Sequence, residues 1–519
     1  MENRAQWGTR LGFILAAVGS AVGLGNIWRF PATAYDSGGG AFFIPYLIAL
    51  LTAGIPLLIM EFSLGHRFRG SAPLTFSRMN KKTEWLGWWA VFVSFVISTY
   101  YGAIIAWSIM YAYFSFGQKW GDSPGAFLYE YLGLTDSSGE FLVSAGQTGS
   151  FVPGVLIPLL FVWAIVLFVL FKGVRRGIEV ANRIFIPTLV LVFLVIVIRA
   201  ITLDGAAQGL NAFFTPDFSK IWSAEVWVAA YGQIFFSLSI AFAIMITYAS
   251  YLKKDSDITG NAFIVGFGNS SFELLAGIGV FATLGYLANV SGVAVSEVVD
   301  GGVGLAFAVF PTIINELPGM NGFFGFLFFA SLVLAGLSSL ISIVETYVAG
   351  FSEKFNVSRN KAVLIGGGLA TLVSLLFATQ GGLFFLDAAD YFINQFGVAF
   401  IGLVEVVMVV WVLRKLGKIQ EHANSVSSIK LGLWWKVSLG FITPIILGYQ
   451  MYKLFELNLL KQFDTENGNY EGYADAFILY GGWFVAAGAL ILGLLLTLKK
   501  WNPELLGESA YSSKEDKAV

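Results

Sequence analysis

The sequence predicts an all-α membrane protein with twelve transmembrane helices, the first and sixth of them broken near their middles. Three observations carry this. Only 31 Lys+Arg and 33 Asp+Glu occur in 519 residues, about 12% charged, while 57% are hydrophobic and the mean hydropathy is +0.74. Long stretches contain no Asp, Glu, Lys or Arg at all. Two of those stretches carry glycines or polar residues at corresponding places in the two halves of the chain. A soluble domain needs roughly twice this charge fraction to solvate its surface, which excludes a soluble enzyme, a disordered chain and a coiled coil. The absence of cysteine excludes a disulfide scaffold and a thiolate metal site. Two histidines, His66 and His422, leave little for a histidine metal centre, and a formal net charge of −2 offers no basic patch for nucleic acid.

The spans follow in order. A bilayer-crossing helix takes roughly 20 apolar residues, because backbone groups in hydrocarbon must pair within the segment. Charge-free runs cover 11–28, 37–60, 85–118, 141–171, 226–252, 274–296, 317–344, 362–386 and 476–498. The stretches 184–198, 391–413 (interrupted by Glu405) and 437–452 are nearly as clean. The first run is too glycine-rich for a cleaved signal peptide, and no small-residue cleavage site follows it, so it reads as a span. Residues 1–225 then form a first half of five spans, with long external connections at 118–153 and 202–225. Residues 226–418 form a second half of five, 419–501 hold two extra C-terminal spans, and 502–519 read as a disordered cytoplasmic tail. A further connection, 290–316, carries Pro311 and an amphipathic stretch able to fold back over the outer face.

Basic residues set the orientation. Arg67, Arg69, Arg78, Lys81 and Lys82 share one connection, and Lys172, Arg175, Arg176 and Arg183 another on the same side. Lys253, Lys254, Lys354, Arg359, Lys361 and the basic residues of 414–436 continue that set, which places both termini in the cytoplasm.

Function in such a chain must come from polar groups and helix breakers inside spans, where they are costly. The first span carries Gly19-Ser20-Ala21-Val22-Gly23-Leu24-Gly25-Asn26, and each glycine weakens a helix by roughly 1 kcal/mol. One reading is a small-residue packing seam between helices. The other is an unwinding that offers carbonyls and amides to a ligand. The sixth span carries Gln233, Ser237 and Ser239 midway, five spans later, and paired interruptions of this kind mark an inverted-repeat transporter. The second interruption reads as the weaker, having no glycine. Asn269 and Glu273 in the seventh span, and Ser338 with Ser339 in the eighth, are further polar groups at depth; the serine pair also suits simple helix–helix glue. Glu61, Glu345 and Glu405 lie in or near spans as well.

Trp7-Gly8-Thr9-Arg10, the string from Gly19 through Asn26-Ile27-Trp28-Arg29-Phe30-Pro31, and Gly38-Gly39-Gly40-Ala41-Phe42 resemble the neurotransmitter:sodium symporter family. Gly232-Gln233-Ile234-Phe235-Phe236-Ser237-Leu238-Ser239, Tyr248-Ala249-Ser250-Tyr251 and Ala335-Gly336-Leu337-Ser338-Ser339 extend the likeness along the whole chain. The resemblance, to the bacterial amino-acid transporter branch, implies the leucine-transporter fold: a 5+5 inverted repeat plus two helices. It implies two sodium ions. One would bind the Ala21 carbonyl, Asn26, Ser237 and Asn269, completed by the substrate carboxylate. The other would bind the carbonyls of Gly19, Val22 and Ala335 and the hydroxyls of Ser338 and Ser339. These are the hard oxygen ligands that sodium prefers.

The resemblance also implies a substrate carboxylate on the amides of Leu24 and Gly25 with the Tyr101 hydroxyl, and an ammonium facing carbonyls of Ala21, Phe236 and Ser239. The substrate side chain would meet Val22, Ile97, Tyr101, Phe236, Ser239, Phe242, Ser339 and Ile343. Tyr101 and Phe236 would form a lid beneath an outer Arg29–Asp390 gate. An inner gate would pair Arg4 with Glu353 near Trp7 and Tyr251. Gly23 stands where monoamine carriers have Asp, so the substrate should bring its own carboxylate. Glu273 stands where chloride-dependent members have serine, so no chloride requirement is expected. Ala241 stands where relatives often have glycine.

The expected function is sodium-coupled import of neutral, small to medium hydrophobic L-amino acids by alternating access, with no catalytic residues. The setting is the lipid bilayer of a bacterial plasma membrane, with a homodimer as a further partner. Alternatives are a carrier of larger aromatic amino acids or of another small carboxylate-bearing amine, and a transporter-like sensor or channel. A membrane enzyme would need clustered His, Cys or Asp, which the chain lacks.

Overall fold

The computed structural model describes residues 5–460 and 473–507; the tail at 508–519 lies outside them, as does Arg4. The described residues form helices, with three isolated β-bridges, Gly39 to Pro216, Thr135 to Phe141 and Phe151 to Thr379, between connections. Among them nine helices are long and apolar enough to cross a bilayer: Gly40–Phe68, Lys81–Phe114, Pro153–Phe171, Val174–Ile201, Ile258–Ser291, Asn321–Phe355, Arg359–Ala378, Gly382–Val412 and Asp475–Thr497. A bent pair, Arg10–Ala21 and Leu24–Asp36, meeting at 55°, makes ten. The other two expected spans are also helical. The sixth is divided into Ala224–Ser237 and Ile244–Ala249, each too short alone. The eleventh runs through Leu433–Val437, Ser438–Ile442 and Thr443–Phe455, but Lys436, Gln450 and Lys453 dilute its apolar character.

Burial separates a central group from a lipid-facing rim. Glu84–Phe114 and Asn321–Phe355 pack along one another and bury Trp88, Trp107, Tyr111 and Tyr347 almost completely. Pro153–Phe171 and Val174–Ile201 instead expose Ile157, Phe161, Phe168 and Leu191, the apolar surface that hydrocarbon requires. The 290–316 connection does fold back: Phe307 packs edge-on to Trp107 and Tyr111, with ring centroids 5.9 and 5.0 Å away. It thereby anchors Asp300 and Gly302 at the mouth of the central cavity.

The chain's two histidines meet across 356 positions of sequence. His66 Nδ1 lies 2.9 Å from His422 Nε2, and His66 Nε2 lies 2.7 Å from the Lys253 carbonyl. A carbonyl only accepts, so His66 donates from Nε2 and receives His422 Nε2–H at Nδ1. This pins the amphipathic helix Leu416–Val426 to the His66 end of the second span and to the chain just beyond the sixth. Burial, then His66, Arg67 and Arg69, push the His422 imidazole down to about 3. The unfolded chain therefore binds more protons between about pH 3 and the ordinary histidine value of about 6.5. The contribution to stability is complete above that value and is lost as pH falls toward 3. Acidification from pH 7 to 4.5 should lower the melting temperature in detergent. His422→Gln, which can still donate to His66 but does not titrate, should flatten that slope; an unchanged slope would remove His422 as its source.

Candidate transport site at the two helix breaks

The first break occupies Val22 and Gly23. Helix Arg10–Ala21 ends where Val22 turns extended (φ −75°, ψ 93°), and Gly23 (φ −119°, ψ −167°) precedes Leu24–Asp36. Asn26 caps the new half-helix: Gly23 N–H donates to its Oδ1 at 2.9 Å. Leu24 N–H donates to the Tyr101 hydroxyl at 3.3 Å. The Gly25 N–H has no partner among the described residues, and a Cβ built on Gly25 meets nothing within 4 Å. An unpaired amide in the first turn of a helix favours an anion, and Gly25 lines the central cavity. A Cβ on Gly23, by contrast, would lie 3.0 Å from the Tyr101 hydroxyl and 3.2 Å from Ser339 Oγ.

The second break is the longer one, reversing the expectation from composition. Residues 238–243 leave the helix, and Ser239, Ala241 and Ala243 take φ of 52°, 67° and 62°. Each left-handed non-glycine residue costs roughly 1–2 kcal/mol, so other contacts must hold this path. Ser239 Oγ donates to the Ser20 carbonyl at 2.9 Å. Ala241 N–H donates to Glu61 Oε1 at 2.7 Å, and Ser94 Oγ donates to the Phe242 carbonyl at 2.7 Å. Glu61, set aside in the sequence as one of several buried carboxylates, thus replaces a lost helix partner.

Several of the residues expected around sodium meet at these breaks. Asn26 Nδ2 donates to Asn269 Oδ1 at 2.9 Å and to Ser237 Oγ at 3.3 Å, and Asn269 Nδ2 also donates to Ser237 Oγ. Ala21 lines the adjoining cavity. Ser339 Oγ lies 3.3 Å from the carbonyls of Gly19 and Ser20, and Ser338 Oγ donates to the Ala335 carbonyl at 2.9 Å. Both groups offer neutral oxygens without a carboxylate among the named ligands, which suits a monovalent hard cation. Glu273 sits beside the first group, fully buried. It accepts from Gln233 Nε2 at 2.6 Å and from the Tyr46 hydroxyl.

A cavity of about 760 Å³ joins the breaks to the end of the molecule that carries the 118–153 connection. Leu24, Gly25, Ile97, Tyr101, Phe236, Ser237, Ser239, Phe242, Ser339 and Ile343 line it, whereas Val22 is buried behind its wall. Arg29 and Asp390 face the same cavity, but no ion pair joins them among the described residues. The Arg29 guanidinium lies 4.5 Å from the Phe236 ring centroid, a cation–π contact worth ~0.5–2 kcal/mol, and Asp390 accepts from Asn394 at 2.8 Å. The opposite end is sealed. Trp7 is 3% exposed; its indole donates to the Tyr248 carbonyl at 2.9 Å and its backbone N–H to the Tyr251 carbonyl at 3.1 Å. The proposed Arg4 partner lies outside the described residues, while Glu353 accepts from the Ser71 hydroxyl at 2.5 Å and its amide at 3.0 Å. A further ion pair, unassigned from sequence, stands nearby: Arg359 grips Glu345 bidentately at 2.8 and 2.6 Å, and the Tyr251 hydroxyl donates to Glu345 at 2.8 Å.

Two interrupted helices around one cavity, mostly apolar with polar groups at the breaks, open at one end and closed at the other, define a multi-pass membrane transporter. Residues 4–131 and 137–501 match the sodium:neurotransmitter symporter family, and the chain belongs to that family. It is 42% identical over 501 residues to an uncharacterized sodium-dependent transporter of Methanocaldococcus jannaschii, covering 96% of this chain and 99% of that one. It is 31% identical to the mouse (Mus musculus) sodium- and chloride-dependent neutral and basic amino acid transporter B(0+), covering 94% and 83% respectively. Its structure resembles that of MhsT in complex with L-phenylalanine (TM-score 0.72, 31% identity), covering 87% of this chain and 100% of that one. The chain is a sodium-dependent transporter and not an enzyme.

The sealed end carries a direct test. Removing one partner of a buried ion pair costs ~3–5 kcal/mol. Glu345→Gln should therefore lower the melting temperature in detergent markedly, and adding Arg359→Gln should restore part of the loss. Unchanged melting of the single variant would deny the pair a structural role.

Proposed function

We propose that this protein is a sodium-coupled symporter that imports neutral, hydrophobic L-amino acids by alternating access, without a chloride requirement. The carrying observation is the unpaired Gly25 amide at the start of a half-helix, opening on the cavity beside the Asn26–Ser237–Asn269 cluster. A substrate carboxylate placed there meets an amide dipole, the Tyr101 hydroxyl and a sodium ion at once, so ion and substrate complete each other's shells. Gly23 supplies no carboxylate at this position, and a side chain there would press on the Tyr101 hydroxyl and Ser339; the substrate brings its own instead. Ile97, Phe242 and Ile343 then select an apolar side chain. The second sodium, held by Gly19, Val22, Ala335, Ser338 and Ser339, ties the first helix to the eighth and favours the sealed inner end.

The reading takes twelve spans with both termini cytoplasmic in a plasma membrane, residues 1–225 and 226–418 forming the two inverted repeats. Closing the outer end brings Arg29 from Phe236 toward Asp390. Glu273 supplies beside the first sodium the negative charge that a bound chloride would otherwise bring. The likeness to MhsT bound to L-phenylalanine favours a second reading of the same site, with an aromatic amino acid as substrate.

Proteoliposomes under a sodium gradient should take up labelled neutral amino acids, aromatic ones included, whether chloride or gluconate is the anion. Equal uptake under a potassium gradient would end the sodium reading. Asn26→Ala should weaken sodium and substrate binding together, by about tenfold for about 1.4 kcal/mol lost; loss of one alone would contradict a shared shell. Glu273→Ser should make uptake depend on chloride, and chloride-indifferent transport by that variant would remove Glu273 from the charge balance.

A further inference from the structure

Away from the central cavity, a second pocket of about 380 Å³ opens where the Pro153–Phe171 and Val174–Ile201 helices join, against Gly8 and Thr9. Arg175, Arg176 and Arg183 line it, with Glu179 at its floor. The carboxylate is already engaged. Glu179 accepts from Gly8 N–H at 2.6 Å and the Thr9 hydroxyl at 2.9 Å, and pairs with Arg183 at 2.8 Å. Arg175 stands close by, its Nε 3.0 Å from where a Gly8 Cβ would sit. Neither Arg175 nor Arg176 makes an ion pair or hydrogen bond among the described residues, so the pocket holds two guanidinium charges beyond those its carboxylate balances.

The surroundings choose the ligand. Val180 lines the pocket, and Val180 and Ile184, one turn further along, are exposed, as is Phe171 on the preceding helix. These side chains belong to spans that face hydrocarbon. A cationic pocket at the end of a helix hairpin, continuous with a lipid-facing apolar strip, matches a molecule with an anionic head and acyl tails. A guanidinium suits it because it binds phosphate oxygens through paired N–H donors.

We propose that this pocket binds the phosphodiester of an anionic phospholipid, its phosphate held by Arg175 and Arg176 and its acyl chains laid along Val180 and Ile184. Because Gly8 and Thr9 lead directly into helix Arg10–Ala21, the headgroup bridges the hairpin to the segment whose Trp7 seals the inner end. The lipid thus stabilises the sealed arrangement.

Native mass spectrometry of the delipidated full-length protein, given phosphatidylglycerol or phosphatidylcholine, tests this. The wild type should retain phosphatidylglycerol preferentially, and Arg175→Gln with Arg176→Gln should reduce that retention at least fivefold. Arg175→Lys with Arg176→Lys, which keeps the charge but not the paired donors, should retain more than the glutamine pair and less than the wild type, separating charge from misfolding. Lys81→Gln with Lys82→Gln, exposed on another connection, should change nothing, and an equal loss there would overturn a specific site. Displacement of the lipid by millimolar inorganic phosphate would make this a free-anion site and also overturn the proposal. On the wild type, a photoactivatable phosphatidylglycerol should label residues 175–184; labelling confined elsewhere would refute the site without any variant.

Discussion

Inside a bilayer every backbone N–H and C=O must find a partner within the protein, and the centre of this molecule is arranged around two places where a helix declines to supply one. At the first break Gly23 is satisfied by Asn26 and Leu24 by Tyr101, and Gly25 is left over. At the second, Glu61, Ser94 and Ser20 take over what helical neighbours would have provided. The polar groups at this depth are therefore of two kinds. Some repair the backbone, as Glu61, Ser94 and Ser20 do; Asn26 both repairs it, through Gly23, and joins the Ser237–Asn269 cluster, while the Gly25 amide is left over.

The scarce charges follow the same economy. Glu345 and Arg359 neutralise each other at the sealed end, and Glu273 lies among hydrogen-bond donors. Arg29 rests on an aromatic face where the cavity is open. A cation over a ring is stabilised without a fixed counter-ion, and no ion pair ties Arg29 down among the described residues. Each end of the molecule uses a different kind of contact, ionic where it is shut and cation–π where it is open.

The first break was legible because its cause is local: three glycines and an asparagine within eight residues weaken a helix in any context. The membrane class and most spans were legible for the same reason, since charge-free length is a property of the segment itself. The second break was underrated because its cause is not local. Ala241 and Ala243 give no hint of a left-handed backbone, and Glu61, which holds the path, lies 180 positions away. The histidine pair and the Glu345–Arg359 grip were hidden likewise, as contacts between groups that only packing brings together. The eleventh segment carries enough polar residues to blur its span, and Arg29 stands in reach of two partners, which residue type alone does not rank.

The left-handed alanines of the 238–243 segment carry a mechanical meaning. In a helix a residue advances the chain by about 1.5 Å, and in extended form by about 3.3 Å, so six residues outside the helix hold roughly 10 Å of adjustable length. Their conformation is costly by itself and is kept by clamps on the first, second and third spans. The short half-helix Ile244–Ala249 is thereby uncoupled from the register of Ala224–Ser237, since no helical hydrogen bond runs from one to the other across the segment.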